Sequence, residues 1–434
     1  VVRPLRLRAR WVVPVESPVI PDAAILIGAG GRILAVGPDA AVPTPPDAQT
    51  LDLGSGILIP GLVNVHTHLE LTGFDDLAPG RPFRDWILTI RELKQRRSRD
   101  EFLAAARAGI RDCWAAGVTT VADTGDSGTV LRALAELDAS GIVYQEVFGP
   151  HPSQLEESFA GLEEQVRTLR PLARGRLRLG VSPHAPYTVS GPLYARVAEW
   201  ARSERLPVAV HIAESPAETE FVAHGTGPFA EAWKARGIPT LTHPSHQSAL
   251  SARPPVRPSP PSPVEWLDRH GVLGPDTLCI HAIQISVADI TTLRTRGAAV
   301  AHCPLSNGRH GHGAAPLKAL LDAGIRVGLG TDSVASIGTL DLLAEARAAR
   351  ELAGLDARAA LTLATLEGAR ALGLGSEIGS LTPGKWGDVT AISPRNHDPG
   401  PDSDPMEAVL GSAPGDTIVT VLGGRLVYRR EPET

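Results

Sequence analysis

Through the middle of the chain, short apolar runs end in a polar residue and lead into stretches with helical periodicity. The runs are Gly61–His66, Val118–Asp123, Val143–Phe148, Leu177–Val181, Val208–His211, Thr277–His281, Ala299–His302 and Arg326–Thr331. Their length and bounding turns suit buried strands, which read as continuous apolar runs when both faces are covered. Between them, Glu101–Ala116, Thr129–Ala139, Gly191–Glu204 and Pro316–Ala323 carry the apolar spacing of amphipathic helices. Eight strands alternating with helices over about 300 residues predict an α/β fold, a (β/α)8 TIM-like barrel, rather than an open doubly wound sheet. No G-x-G-x-x-G follows a first strand, which removes support for a dinucleotide fold.

The two ends have another texture. WVVPV, AAILIG and RILAVG near the start, and WGDVTAIS and TIVTVLGGRLVYRR near the end, are β-type runs broken by Gly, Pro and Asp. Each flank is too short to form a closed sandwich alone, so the expectation is one small β-sandwich built from 1–60 plus 376–434, with the barrel over 61–375. A segment with seven prolines, 242–265, interrupts the barrel rhythm and is expected as a surface loop, either at the barrel mouth or as a tolerated insertion.

Composition narrows the function classes. Lys+Arg 42 against Asp+Glu 48 leaves a net charge of −6, which gives no footprint for nucleic acid or an anionic membrane. Three cysteines are too few for a disulfide framework or a cysteine-based zinc site. No secretory signal and no run of about eighteen apolar residues is visible, so the expectation is a cytoplasmic protein acting on a small molecule, with no membrane or nucleic-acid partner. The unusual entry is histidine: fourteen residues, several at the ends of predicted strands.

His66 and His68 sit at i and i+2 at the end of the first barrel strand, where both imidazoles can face the mouth. His211, followed by Glu214, closes the fifth strand; His281 closes the sixth; Asp332, in G-L-G-T-D-S, closes the eighth. Taken singly, each has a structural explanation, and Asp332 in particular could be only a helix N-cap. Together they fall at the strand ends where barrel enzymes place their chemistry. Glu214 lies within reach of a metal-activated water as a proton carrier. A site for two metals needs a bridging ligand, commonly a carbamylated lysine or a glutamate from a middle strand; none of the four lysines ends a predicted strand and the fourth strand runs into S-P-H-A-P, so a single ion is expected. Three histidines and an aspartate suit Zn²⁺, and Fe²⁺ takes similar ligands.

P-G-L-V-N-V-H-T-H-L-E, H-I-A-E, H-A-I-Q, A-H-C-P-L-S-N and G-T-D-S, in this order, resemble the amidohydrolase superfamily. The likeness is to its branch of metal-dependent aminohydrolases and chlorohydrolases, which includes adenosine, S-adenosylhomocysteine, methylthioadenosine and guanine deaminases. The resemblance implies that His66, His68, His211 and Asp332 hold the metal, that Glu214 shuttles protons, and that His281 polarises the reacting centre, with Asp332 taking a second proton. H-T-H-L-E-L together with F-R-D-W is similar to the aminodeoxyfutalosine deaminases. It also implies substrate contacts for His184, Glu70 and Trp86, although His184 could instead cap the next helix and Glu70 could pair with an arginine. The expected reaction is hydrolytic deamination of an aminated heterocycle, an adenine nucleoside derivative, with release of ammonia. Cleavage of another carbon–nitrogen or a carbon–chlorine bond uses the same core, and a barrel that only binds is the alternative outside enzymes. Resemblance and base rates point to a homodimer.

Overall fold

The structure is a computed structural model that describes residues 3–74, 77, 82–246, 260–394 and 403–431. The first sixty residues form β1 (Leu5–Val12), β2 (Ile20–Ile27), β3 (Ile33–Pro38), β4 (Gln49–Asp52) and β5 (Ile57–Pro60). Eight parallel strands follow: β6 (Leu62–Thr67), β7 (Val118–Gly125), β8 (Gly141–Val147), β9 (Leu177–Pro183), β10 (Val208–Ile212), β11 (Thr277–His281), β12 (Ala299–His302) and β13 (Val327–Leu329). Each corresponds to one predicted run. The chain ends in β14 (Val389–Ile392), β15 (Thr417–Leu422) and β16 (Arg425–Arg429).

The eight central strands pair in sequence order. The last returns to the first through a parallel bridge between Thr67 and Asp332, and the Asp332 N–H donates to the His66 carbonyl at 3.0 Å. The sheet thus closes into a (β/α)8-like barrel. Helices from successive crossovers, among them Arg99–Ala115, Leu155–Leu169, Gly191–Glu204 and Leu342–Ala353, pack their apolar faces on it in one large core.

The terminal strands combine into one mixed sheet, ordered β16–β15–β14–β5–β1–β2–β3, with β4 beside β1. The crossing point is the antiparallel pair β5–β14, which joins Ile57–Pro60 to Val389–Ile392. The sheet is continuous in its hydrogen bonding, and apolar side chains from both flanks, including Leu7, Ile25, Val389 and Val421, share one core. Thr390 and Thr420 dock it on the barrel by donating to the carbonyls of Gly117 and Trp114, each at 2.7 Å. Arg176 reinforces the contact through Asp388.

Two elements bear on the mouth. Helix Phe83–Arg96 carries Phe83, Trp86, Ile87 and Ile90 at i, i+3, i+4 and i+7; Trp86 and Ile90 pack with Leu71 and Ala335, residues just beyond β6 and β13, while Phe83 and Ile87 lie against the main core. The proline-rich segment does not follow β10 directly, because helices Pro216–His224 and Gly227–Ala235 intervene. Its centre, 247–259, lies outside the described residues. Its near end is anchored by buried His246, whose ring hydrogen-bonds the Pro239 carbonyl.

Candidate active site

The strands end abruptly at the site. Among the described residues, four of the eight non-glycine positions with left-handed backbone are Ala213, His281, Ala282 and Asp332, all at or just past the ends of β10, β11 and β13. Such conformations cost about 1–3 kcal/mol each and are kept where the surroundings enforce them. Here they turn the chain off the barrel while leaving the last side chains at the mouth.

His66, His68 and His211 bring ring nitrogens within 4.8 Å of one another, and His66, His281 and Asp332 form an overlapping group on the same criterion. His66 and His68 approach one oxygen of Asp332, Oδ1, at 3.6 and 3.5 Å. This is a buried cluster able to coordinate a divalent metal. The fit is visible in unsatisfied atoms: His66 is 1% exposed and neither ring nitrogen has a hydrogen-bond partner among the described residues. A core histidine left so is costly unless a ligand is supplied. The other rings are pre-oriented. His68 Nδ1 meets the Thr124 carbonyl at 2.8 Å and His211 Nδ1 the His184 carbonyl at 3.3 Å, which leaves each Nε2 lone pair for a metal. Burial lowers the pKa of His66 to about 4 and drives that of His211 well below the usual range, so both are neutral as ligands must be.

Asp332 is not the N-cap of the following short helix; Ser333 takes that role. The Asp332 carboxylate accepts from Ser306 Oγ at 2.6 Å, Ser336 Oγ at 3.1 Å and the Ser333 N–H at 2.8 Å. Burial would raise its pKa, but His66 and His68 outweigh that and hold it well below the usual range.

Glu214 lies beside this cluster, 4% exposed, with Oε1 3.7 Å from His281 Nε2. Burial opposes its ionisation, yet His281 and His312 bring the net shift downward. Its backbone is held from an unforeseen residue: Glu218 accepts from the N–H groups of Ala213 and Glu214 at 2.8 and 2.9 Å. Ser215 caps helix Pro216–His224 by accepting from the Glu218 N–H, so S-P-A-E was the available signal. His281 is set by Asn307, whose Oδ1 accepts from His281 Nδ1 at 2.9 Å.

The remaining candidates surround this centre. His184 lies tilted against His211, ring centroids 4.7 Å apart, and its Nδ1 is engaged by Thr188 at 2.8 Å; Ser190, not His184, occupies the N-cap position of the next helix. Burial lowers its pKa to about 3. Glu146, from the end of β8, brings a buried carboxylate into the group formed with His184 and His211, and one of its oxygens has no partner. Trp86 packs against His310 at 4.7 Å and Phe83 at 5.9 Å. Glu70 is 1% exposed and pairs with a lysine rather than an arginine: Lys94 reaches it at 2.5 Å and also meets Asp126, while Ser127 donates to the other oxygen. A lysine therefore does enter the mouth, from helix Phe83–Arg96 instead of a strand end, and its ammonium is committed to carboxylates. Cys303 is fully buried, and burial pushes its thiol pKa well up, which removes it as a nucleophile.

The profile of the amidohydrolase family matches residues 57–427. An aminodeoxyfutalosine deaminase of Deinococcus radiodurans is 35% identical over 336 residues, 75% of this chain and 77% of that protein. A 5-methylthioadenosine/S-adenosylhomocysteine deaminase of Moorella thermoacetica is 30% identical over 345 residues, 79% of this chain and 72% of that protein. Among solved structures, an adenosine deaminase from Xanthomonas campestris with bound zinc superposes with a TM-score of 0.81 at 26% identity, covering 97% of this chain and 92% of that one.

Proposed function

This chain belongs to the amidohydrolase family, and on that premise we propose that it is a metal-dependent deaminase of an adenine nucleoside derivative. The observation that carries the reading is the orphaned pair of nitrogens on His66, inside a histidine–aspartate cluster with Glu214 beside it. The names of the Deinococcus and Moorella relatives support loss of an amino group from an adenosine-like compound.

His66, His68, His211 and Asp332 would hold one divalent ion. Three nitrogens and a carboxylate suit zinc, which the Xanthomonas structure contains, and Fe²⁺ accepts the same donors. A single ion is preferred because the three candidate groups share ligands, His66 in the first and second and His211 in the first and third, and Lys94 is committed to Glu70 and Asp126. When bound, the ion supplies Lewis-acid activation of a water molecule.

The chain's own residues do the rest. Glu214, an ionised carboxylate in a dry site, accepts the proton released by the nucleophile and delivers it to the ring nitrogen beside the attacked carbon. That protonation makes the carbon more electrophilic. His281, with Nδ1 fixed on Asn307, presents Nε2 to the developing tetrahedral centre. Asp332 takes the second proton and passes it to the departing ammonia. His184 and Trp86 would contact the substrate from either side of the mouth. Glu70 would act through Lys94, whose ammonium it shares with Asp126.

The test is metal analysis of the purified protein together with ammonia release from a panel: aminodeoxyfutalosine, 5-methylthioadenosine, S-adenosylhomocysteine, 5′-deoxyadenosine, adenosine and free adenine. About one metal per chain and turnover of a nucleoside member are expected. A metal-free protein that releases ammonia from none of them overturns the reading. Glu214→Gln should keep its metal and lose turnover; full activity in that variant would remove Glu214 as the proton carrier.

A further inference from the structure

After β12, Asn307 is followed by G-R-H-G-H-G. His312 in that segment is 5% exposed, and neither ring nitrogen has a hydrogen-bond partner among the described residues. Gly311 and Gly313 on either side of it adopt φ of 69° and 95°, left-handed backbone that a glycine supplies at little cost. The reversal sends the imidazole inward. Its Nδ1 stops 3.5 Å from Glu214 Oε1, the same oxygen that His281 Nε2 approaches at 3.7 Å.

The ring is held there from several sides. The His312 N–H donates to the Asn307 carbonyl at 3.0 Å, and the His312 carbonyl accepts from Gln284 Nε2 at 2.6 Å. Phe83 meets the ring edge-on, with centroids 4.4 Å apart and planes at 87°. Asn307 therefore ties both residues, the His281 ring through its side-chain oxygen and the His312 backbone N–H through its carbonyl.

We propose that His312 is a positioning residue for Glu214: Nδ1–H donates to Oε1, so that this oxygen is held and the transferred proton rides on Oε2. The separation of 3.5 Å is long for a hydrogen bond, and catalytic contacts of this kind commonly tighten only with substrate in place. No proton leaves His312; it orients the carboxylate and keeps one oxygen out of the transfer. The inference rests on Glu214 being the proton carrier but not on the identity of the leaving group.

The experiment compares the metal-loaded full chain with His312→Phe and His312→Gln. Phenylalanine keeps an aromatic ring against Phe83 and removes both nitrogens, whereas glutamine restores an N–H donor without the ring. A lost hydrogen bond to a charged group corresponds to roughly a 10- to 100-fold change in rate. The expected result is that fall in kcat for His312→Phe, with KM within about threefold, unchanged metal content and an unchanged thermal melt. His312→Gln should recover at least about a third of the wild-type kcat, since the charge-assisted contact returns. The proposal is overturned if His312→Phe keeps kcat within about twofold, if its defect lies in KM or metal content alone, or if His312→Gln is no better than His312→Phe. Should His312→Phe fail to fold, His312→Leu replaces it in the same comparison. A wild type that deaminates nothing in the panel refutes the substrate reading separately, and the comparison is then made on whichever carbon–nitrogen bond the chain does hydrolyse.

Discussion

Gly330 is where barrel closure and ligand placement meet, and replacing it with alanine tests both. It sits two residues before Asp332, and a Cβ added there would lie 2.7 Å from His66 Cβ, 2.9 Å from His66 N and 3.0 Å from His66 O. Carbon atoms rest about 3.5–4.0 Å apart, so β13 and β6 must separate by about 1 Å or His66 must shift by a similar amount. Over-packing of this kind costs about 1–3 kcal/mol. The larger effect falls on the site, because metal ligands tolerate only about ±0.2 Å and a misplacement of ~1 Å in a reacting group costs roughly 100-fold in rate. Gly330→Ala is therefore expected to lose at least ~10-fold in metal affinity, read by competition with a chromogenic chelator, and more in kcat/KM. Gly37→Ala is the control: its added methyl comes no closer than 3.9 Å to Val42. A Gly330→Ala protein with metal affinity and turnover within twofold of wild type would show that the seam yields freely and that the argument from close approach is wrong.

Other consequences can be measured alongside. Stripping the metal with a chelator should lower the apparent Tm, because an ion bound only by the native state stabilises it by mass action, and His66→Ala should erase that difference. Burial lifts the pKa of Glu218 to about 8, so the native state holds a proton that the unfolded chain releases near pH 4.5. Its contribution is complete below pH 4.5 and is lost as pH rises toward 8; Glu218→Gln should flatten that decline in urea midpoints between pH 5 and 8. Lys94→Met leaves Glu70, only 2% exposed in its side chain, buried without its cation, and a loss of about 3 kcal/mol is expected in urea unfolding, partly restored by adding Glu70→Gln. Trp86→Ala should raise KM more than it lowers kcat if the indole holds substrate and takes no part in the chemistry.

The barrel was legible because burial on both faces writes each parallel strand as an apolar run, and all eight runs appear as β6 to β13. The histidine–aspartate cluster was legible for a related reason: residues at strand ends are brought together by the fold itself, whatever lies between them. What escaped reading comes from connections. Lys94 reaches Glu70 from a helix in the β6–β7 connection, Glu218 reaches back five residues to Ala213, and His312 depends on glycine conformations that no hydrophobic period records. No lysine ends a strand, yet the Lys94 side chain enters the mouth from a crossing helix all the same. The flanks paired as expected, in a continuous sheet whose hydrogen bonds cross between the chain's two ends at β5–β14.

The bridge between Thr67 and Asp332 gives the site a topological meaning. His66 and His68 belong to the first barrel strand and Asp332 to the end of the last, so an ion shared among them would fasten the two edges of one cylinder. Opening the seam would then require releasing the ion, and losing the ion would unclasp the seam. Amide exchange along Leu329–Asp332 would report on that clasp: slow with metal, faster without it, and hardly altered on strands far around the cylinder such as β9.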